Sequence, residues 1–150
     1  MLCPAAHAQK ETKESREAKR QAVVQAINDQ DFDVILTQNV PKTSQDAIIN
    51  YTGEYSILIR GDKASVFIPG VNQGGIAVFG GINVGDAEPF EMSCKKISTK
   101  KIMHTFELRS VGGKDNYVIT VRAYENTNAD IIVDRVPMDR FKFYGEVATH

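Results

Sequence analysis

The sequence predicts a mainly β domain of α+β type: an N-terminal helix, then an antiparallel up-and-down β meander forming a curved sheet or an open, lipocalin-like barrel. Three observations carry this prediction. Apolar residues recur at spacings of three and four between Gln9 and Asn28; beyond Phe32 they alternate with polar ones. The alternating runs are also joined by connections shorter than the roughly dozen residues that a parallel crossover needs.

In chain order, residues 1–8 read as the remnant of a signal peptide, because Ala6-His7-Ala8 has the small-x-small form of a secretory cleavage site and would place the mature start at Gln9. The segment lacks a basic leading region, so the expectation is that the start is internal to a longer leader. Residues 9–31 form the charged helix, with Ala18, Ala22, Val23, Ala26 and Ile27 as a narrow apolar stripe. Its first half carries almost no apolar residue and is expected to protrude, while the second half docks. The charges from Lys10 to Arg20 alternate in sign, as on a solvated helix face.

The β domain spans residues 32–150, and β-branched and aromatic residues concentrate in runs at 32–37, 47–50, 55–60, 63–68, 76–79, 90–97, 101–110, 117–125, 129–135 and 141–147. Turn signals stand at Gly61-Asp62, Ser98-Thr99-Lys100, Gly112-Gly113-Lys114 and Asn126-Thr127-Asn128. Alternation places Phe90, Met92 and Cys94 on one face, with Ile102, His104, Phe106 and Leu108, with Tyr117, Ile119 and Val121, and with Phe141, Phe143 and Val147. A sheet with one apolar face must close on itself or be covered, and a single helix covers only part of it.

With 150 residues the chain is the size of one domain, and 18 basic against 19 acidic residues leave a formal charge of −1. That balance argues against nucleic acid and anionic membranes as partners. No apolar stretch approaches the roughly 18 residues of a spanning helix. Removal of the leader would leave Cys94 as the one cysteine, so the mature fold is expected to be held by packing and not by a disulfide.

Cys94 and His104 are the one pair with chemical potential. A turn centred on Thr99 would set them opposite each other on adjacent strands, about 4.5–5.5 Å apart at Cβ. A thiolate–imidazole pair is the core of a thiol enzyme or half of a metal site. No third member is in view, and the expectation is a packed thiol beside a hydrogen-bonded histidine, with no catalytic set, no metal and no cofactor. The glycines between Gly70 and Gly85 lack the Lys-Ser/Thr and the helix of a phosphate loop and read as bulges, corners or a flap over a barrel mouth. Arg60-Gly61-Asp62 spells an adhesion tripeptide but is good hairpin chemistry. Asp29, Asp31 and Asp33 begin like a calcium loop, yet Val34 and Val40 stand where its glycine and glutamate belong. Asn50-Tyr51-Thr52 is a glycosylation sequon, with meaning only in a eukaryotic secretory host.

Several segments in fixed order resemble a known family: the helix ending Gln25-Ala26-Ile27-Asn28, the run from Tyr51 to Asp62, the strand Ala64-Ser65-Val66-Phe67-Ile68-Pro69, the Gly74-Gly75-Ile76 step and the ending Phe141-Lys142-Phe143-Tyr144-Gly145-Glu146. Between Arg16 and Val147 the chain is similar to the exported bacterial domain-of-unknown-function family 4251. The resemblance implies export and the helix-plus-meander layout. It departs after Pro69, where Gly70-Val71-Asn72-Gln73 replaces the aromatic, glycine-containing segment common in the family. The family supplies no activity or catalytic residues to carry over.

The resulting expectation is an exported, non-enzymatic protein of the periplasm or cell envelope, binding a small apolar ligand on the inner face near Met92, Cys94, His104, Phe106 and Tyr117. The alternative is a module that docks an envelope protein through a sheet face, an edge or the helix, with Phe67, Tyr124 and Tyr144 on the more polar side of their strands. A thiol enzyme built on Cys94 and His104 is the third reading.

Overall fold

The computed structural model describes residues 12–42, 46–73, 76–79, 81–82, 90–110, 117–135 and 139–149. Thr12 starts the helix: its extended backbone and its side-chain oxygen, which accepts from Ser15 N at 3.0 Å, satisfy one of the unpaired amides of the first turn. Helix α1 (Lys13–Asn28) turns into the sheet through Gln30, at φ 52°. Among the described residues ten strands follow: β1 (Asp31–Val40), β2 (Ser56–Arg60), β3 (Lys63–Phe67), β4 (Val71–Gln73), β5 (Ile76–Phe79), β6 (Phe90–Lys100), β7 (Met103–Ser110), β8 (Tyr117–Tyr124), β9 (Asn128–Arg135) and β10 (Asp139–Ala148).

Eight of them close into an antiparallel barrel in the order β1-β10-β9-β8-β7-β6-β3-β2, while β4 and β5 pair as a separate ribbon between β3 and β6. The curvature implied by the one-sided apolar pattern thus goes to full closure, the arrangement that leaves no barrel edge unpaired. An Ile68–Ile82 bridge pins the base of the ribbon, and Gly81, at φ +87°, lies against the Pro69–Gly70 backbone, where a Cβ would come within 2.6 Å of Ile68 O. The sequence-predicted flap corresponds in part to this ribbon; residues 74–75, 80 and 83–85 of it lie outside the described residues, as do the 1–8 leader, the first residues of the predicted helix and the 112–114 turn.

The inward rows are those that alternation predicts. Phe32, Val34 and Leu36 of β1 meet Ile57 and Ile59 of β2, Phe106 and Leu108 of β7, Ile119 and Val121 of β8, Ile131 and Val133 of β9 and Phe143 of β10, all fully buried. Phe32 and Phe106 touch across the interior, ring centroids 5.4 Å apart. Each such side chain contributes about 1.5–3 kcal/mol by leaving water. One end is covered by α1, which buries Val23 and Ile27. There Gln30 bonds the β2–β3 turn in both directions with Gly61, at 2.7 and 2.8 Å, and Arg20 reaches Glu125 at the β8–β9 turn. Near the other end Tyr51 and Tyr55 pack edge to face against each other and against the core.

Four sequence expectations change. Residues 47–50 form no strand: the segment is tied to β1 by a single Gln38–Asn50 bridge and by Asn39, whose side chain brackets Ala47 O and Ile49 N. Strand β4 was not anticipated, because its three residues are too few to show a period. Strand β7 begins at Met103 and not at 101, so Ile102 leaves the inward row and sits 53 % exposed in the turn. The β6–β7 turn accordingly lies at Lys101-Ile102, not at Ser98-Thr99-Lys100. Lys101 takes the left-handed φ of 51° itself, and an extra residue, Ile97, bulges between the pairs Lys96–Phe106 and Ser98–Thr105.

Closure of β1 on β10 passes through a second bulge, at Thr37, beside Gly145. A Cβ on Gly145 would stand 2.7 Å from Ile35 O and 3.1 Å from Val34 and Ile131 side-chain carbons. Because the nearest obstacle is backbone, Gly145→Ala is expected to cost about 1–3 kcal/mol by overpacking. Urea unfolding of the two proteins measures it; a loss below about 0.5 kcal/mol would show that the seam is not tight.

Candidate functional site

Register decides which of the candidate residues meet. Cys94 pairs with Leu108, and His104 with Thr99, so the expected face-to-face Cys94–His104 pair does not form. His104 is buried and bonded elsewhere. Since a carboxylate can only accept, His104 Nε2–H donates to Glu125 Oε2 at 3.1 Å, and Nδ1 lies 3.4 Å from the Thr99 hydroxyl. Arg20 Nη1 lies 3.2 Å from the other Glu125 oxygen. The resulting chain from Arg20 through Glu125 and His104 to Thr99 ties the helix to two barrel hairpins. Its members are polar groups that satisfy one another where the helix meets the barrel.

Cys94 is buried, and its backbone N–H donates to Asp62 O at 2.7 Å. Burial, and after it the Asp62 charge, push its thiol up to about 11. A thiol that stays protonated at neutral pH is a poor nucleophile. Met92, Phe106 and Tyr117 are buried too, so all five residues expected on an inner binding face are buried. None of them lines any of the three concavities described below. Among the described residues no group of three or more His, Cys, Asp or Glu side chains is placed to hold a metal ion, and no helix is long and apolar enough to cross a membrane.

The adhesion-like Arg60-Gly61-Asp62 is the β2–β3 hairpin, with Gly61 at φ +65°. Arg60 is engaged by Asp33 at 2.7 Å and by Asp31 at 3.5 Å, so two of the three alternating aspartates serve an ion pair and not a calcium loop.

The largest of the three concavities lies on the outside of the barrel. It encloses about 740 Å³ and is lined by Thr37, Tyr124, Asn126, Asn128, Ala129, Asp130, Tyr144, Gly145 and Glu146. A smaller one of about 330 Å³ runs under the helix C-terminus, between Gln25, Asp29, Asp31 and Thr149. A third, of about 20 Å³, lies between Val40, Val71 and Phe143 and is too small for more than a water.

The outer groove follows from strand pairing. Gly145 opposes Ala129, and on either side of that pair stand Tyr144 opposite Asp130 and Glu146 opposite Asn128. Gly145 and Ala129 face inward, so their backbone forms the floor between two outward polar cross-strand pairs, one strand repeat of roughly 7 Å apart. Tyr124 joins from β8, its hydroxyl donating to Asp130 Oδ2 at 3.2 Å. Burial of the phenol, and then the Asp130 charge, raise the Tyr124 hydroxyl above its ordinary range, so it stays a donor. The Thr37 hydroxyl, on the bulge, donates to Tyr144 O at 3.2 Å, and Lys142 Nζ stands 5.3 Å from the Tyr144 ring centre.

Of these residues only Tyr124 and Tyr144 were singled out in the sequence, as aromatics on the polar side of their strands. Asn126 and Asn128 read in the sequence as a turn, and nothing there marks Asp130, Glu146 or Thr37 as site residues, because what gathers them is the β8–β9–β10–β1 register. Phe67, the third such aromatic, lies on β3, which is not among the strands that line the groove.

The sequence matches the family described as "Domain of unknown function (DUF4251)" over residues 14–147. The chain belongs to this family. The fold of the DUF4251 chain is also similar to a crystal structure of a DUF4251 family protein from Bacteroides eggerthii DSM 20697, with a TM-score of 0.62 and 14 % identity over 88 % of each chain. At that identity the likeness speaks for the fold alone. No curated protein matches.

Iodoacetamide at pH 8 is expected to leave Cys94 unmodified in the folded protein and to alkylate it in urea, as read by peptide mass spectrometry that separates Cys94 from Cys3. With the thiol held at about 11, the native rate should climb only as the pH approaches that value. Rapid native labelling at pH 8 would restore the reactive-thiol reading.

Proposed function

We propose that this DUF4251 protein is an exported, non-enzymatic binding or accessory protein of the cell envelope, and that its recognition site is the outer groove flanked by Tyr124 and Tyr144. The observation that carries the reading is a contrast of inside and outside. The interior candidates are packed core, while a concavity of about 740 Å³ on the outer face gathers two tyrosines with amide and carboxylate side chains. That volume is in the range of about 300–1,000 Å³ typical of small-molecule sites. This contrast favours a site on the outer surface over one inside, and a polar ligand over an apolar one. Export is supported by Ala6-His7-Ala8. The non-enzymatic reading is supported by the Cys94–Leu108 and His104–Thr99 pairings, which separate the two groups a thiol enzyme would need together.

A second reading, docking of an envelope protein, is favoured by Ile97 and Ile102, which are 47 % and 53 % exposed and flank the same hairpin. Barrel closure withdraws the barrel edges from that reading and leaves its outer face.

Amide-detected NMR with a set of polar fragments (monosaccharides, amino acids, nucleosides and small amines) separates the two readings. Shift changes are expected to concentrate at Tyr124, Asp130, Tyr144 and Glu146 and to disappear in Tyr144→Ala. Changes centred on Met92 and Phe106 would return the site to the interior. A groove silent to every fragment would overturn the proposal.

A further inference from the structure

We propose that the outer groove takes neutral sugar rings, held as a segment of an oligosaccharide. The inference rests on the groove being the recognition site and adds the chemical class of its ligand.

A pyranose presents two kinds of surface: a face of C–H groups that packs on an aromatic ring, and a rim of hydroxyls, each of which both donates and accepts. A site for it needs aromatic faces beside side chains of both hydrogen-bonding senses. The groove has this combination. Tyr124 and Tyr144 supply rings. Asp130 and Glu146 accept, and Asn126 and Asn128 carry both senses. Asn126 Oδ1 already accepts from the Asn128 backbone N–H at 3.1 Å, which leaves its NH₂ group as the donor. Tyr124 is held through its hydroxyl by Asp130, so its ring is set before a ligand arrives, and Thr37 holds the Tyr144 backbone.

The same lining discriminates against other classes. Its two charged members are both carboxylates, which oppose a phosphate or an acidic ligand. Cations of the chain itself stand at its flanks: Arg122 opposes Asp130 across β8 and β9, and the Lys142 ammonium lies over the Tyr144 ring. They offset the negative charge that would draw in an amine. An apolar ligand would have to desolvate Asp130, Glu146 and two asparagines without replacing their hydrogen bonds. Extent argues for a chain of rings: the lining crosses from β8 over β9 and β10 to β1, with two polar pairs, Tyr144–Asp130 and Glu146–Asn128, one strand repeat apart.

The test is calorimetric and NMR titration of the folded protein with neutral oligosaccharides of glucose, galactose, mannose and xylose. A sulfated oligosaccharide is the anionic arm, and spermine and a lysine-rich peptide are the cationic arms. At least one neutral oligosaccharide is expected to bind with shifts at Tyr124, Asp130 and Tyr144. Tyr144→Ala should weaken it at least tenfold and Tyr144→Phe, which keeps the ring, by less than threefold. Because Tyr144 is 41 % exposed, both variants should retain the fold, checked by their NMR spectra. Binding of only the spermine, peptide or sulfated probe at the groove overturns the sugar inference and leaves the recognition site standing. Silence of the groove to every probe overturns both.

Discussion

The seam between β1 and β10 is the contact on which the rest of the molecule depends. If first and last strands did not pair, the meander would be a sheet with one apolar face and two open edges, and α1 buries too little, Val23 and Ile27, to cover it. Pairing runs from Asp33–Ala148 to Val40–Lys142 and is interrupted at Thr37, where one extra residue lets β1 bend around β10. Gly145 makes the approach possible, since any side chain there would strike the Ile35 carbonyl. Once the seam closes, each inward row faces another, and large side chains such as Phe32, Phe106 and Phe143 fill the space between them. The helix and the Tyr51–Tyr55 pair then need only cover the ends.

The seam also shapes the outside. Gly145 and Ala129, paired where β10 meets β9, face inward, so only their backbone separates the outward Tyr144–Asp130 and Glu146–Asn128 pairs, and the Thr37 bulge brings a hydroxyl to the same place. The features that let the barrel close are therefore among those that line its largest described concavity. Barrel closure and the candidate site thus meet at the β9–β10–β1 seam.

Much of the fold is written in residue periodicity. The stripe ending at Ile27 marks the docked half of the helix, and the inward rows Phe106–Leu108, Tyr117–Ile119–Val121 and Phe141–Phe143 emerge from simple alternation because each strand buries one face. Gly61-Asp62 marks its hairpin because only a few residues take a positive φ cheaply. Where no such residue stands, the turn is not legible: Lys101 adopts the left-handed conformation without glycine or asparagine, and the later turn it makes sets His104 opposite Thr99 and not Cys94. The groove was legible only as two polar-face tyrosines. Asp130 and Glu146 look like ordinary surface charges until β9 and β10 are paired, and pairing is a long-range property that no local pattern encodes.

The central claim is that the closed barrel is filled by its own side chains and leaves recognition to its outer face. Diffraction from crystals pressurised with xenon tests this most directly, because xenon enters apolar cavities that water leaves empty. No xenon is expected within the ring formed by Phe32, Ile59, Phe106, Ile119, Ile131 and Phe143. An ordered xenon atom among those side chains would contradict that claim and reinstate an interior binding site.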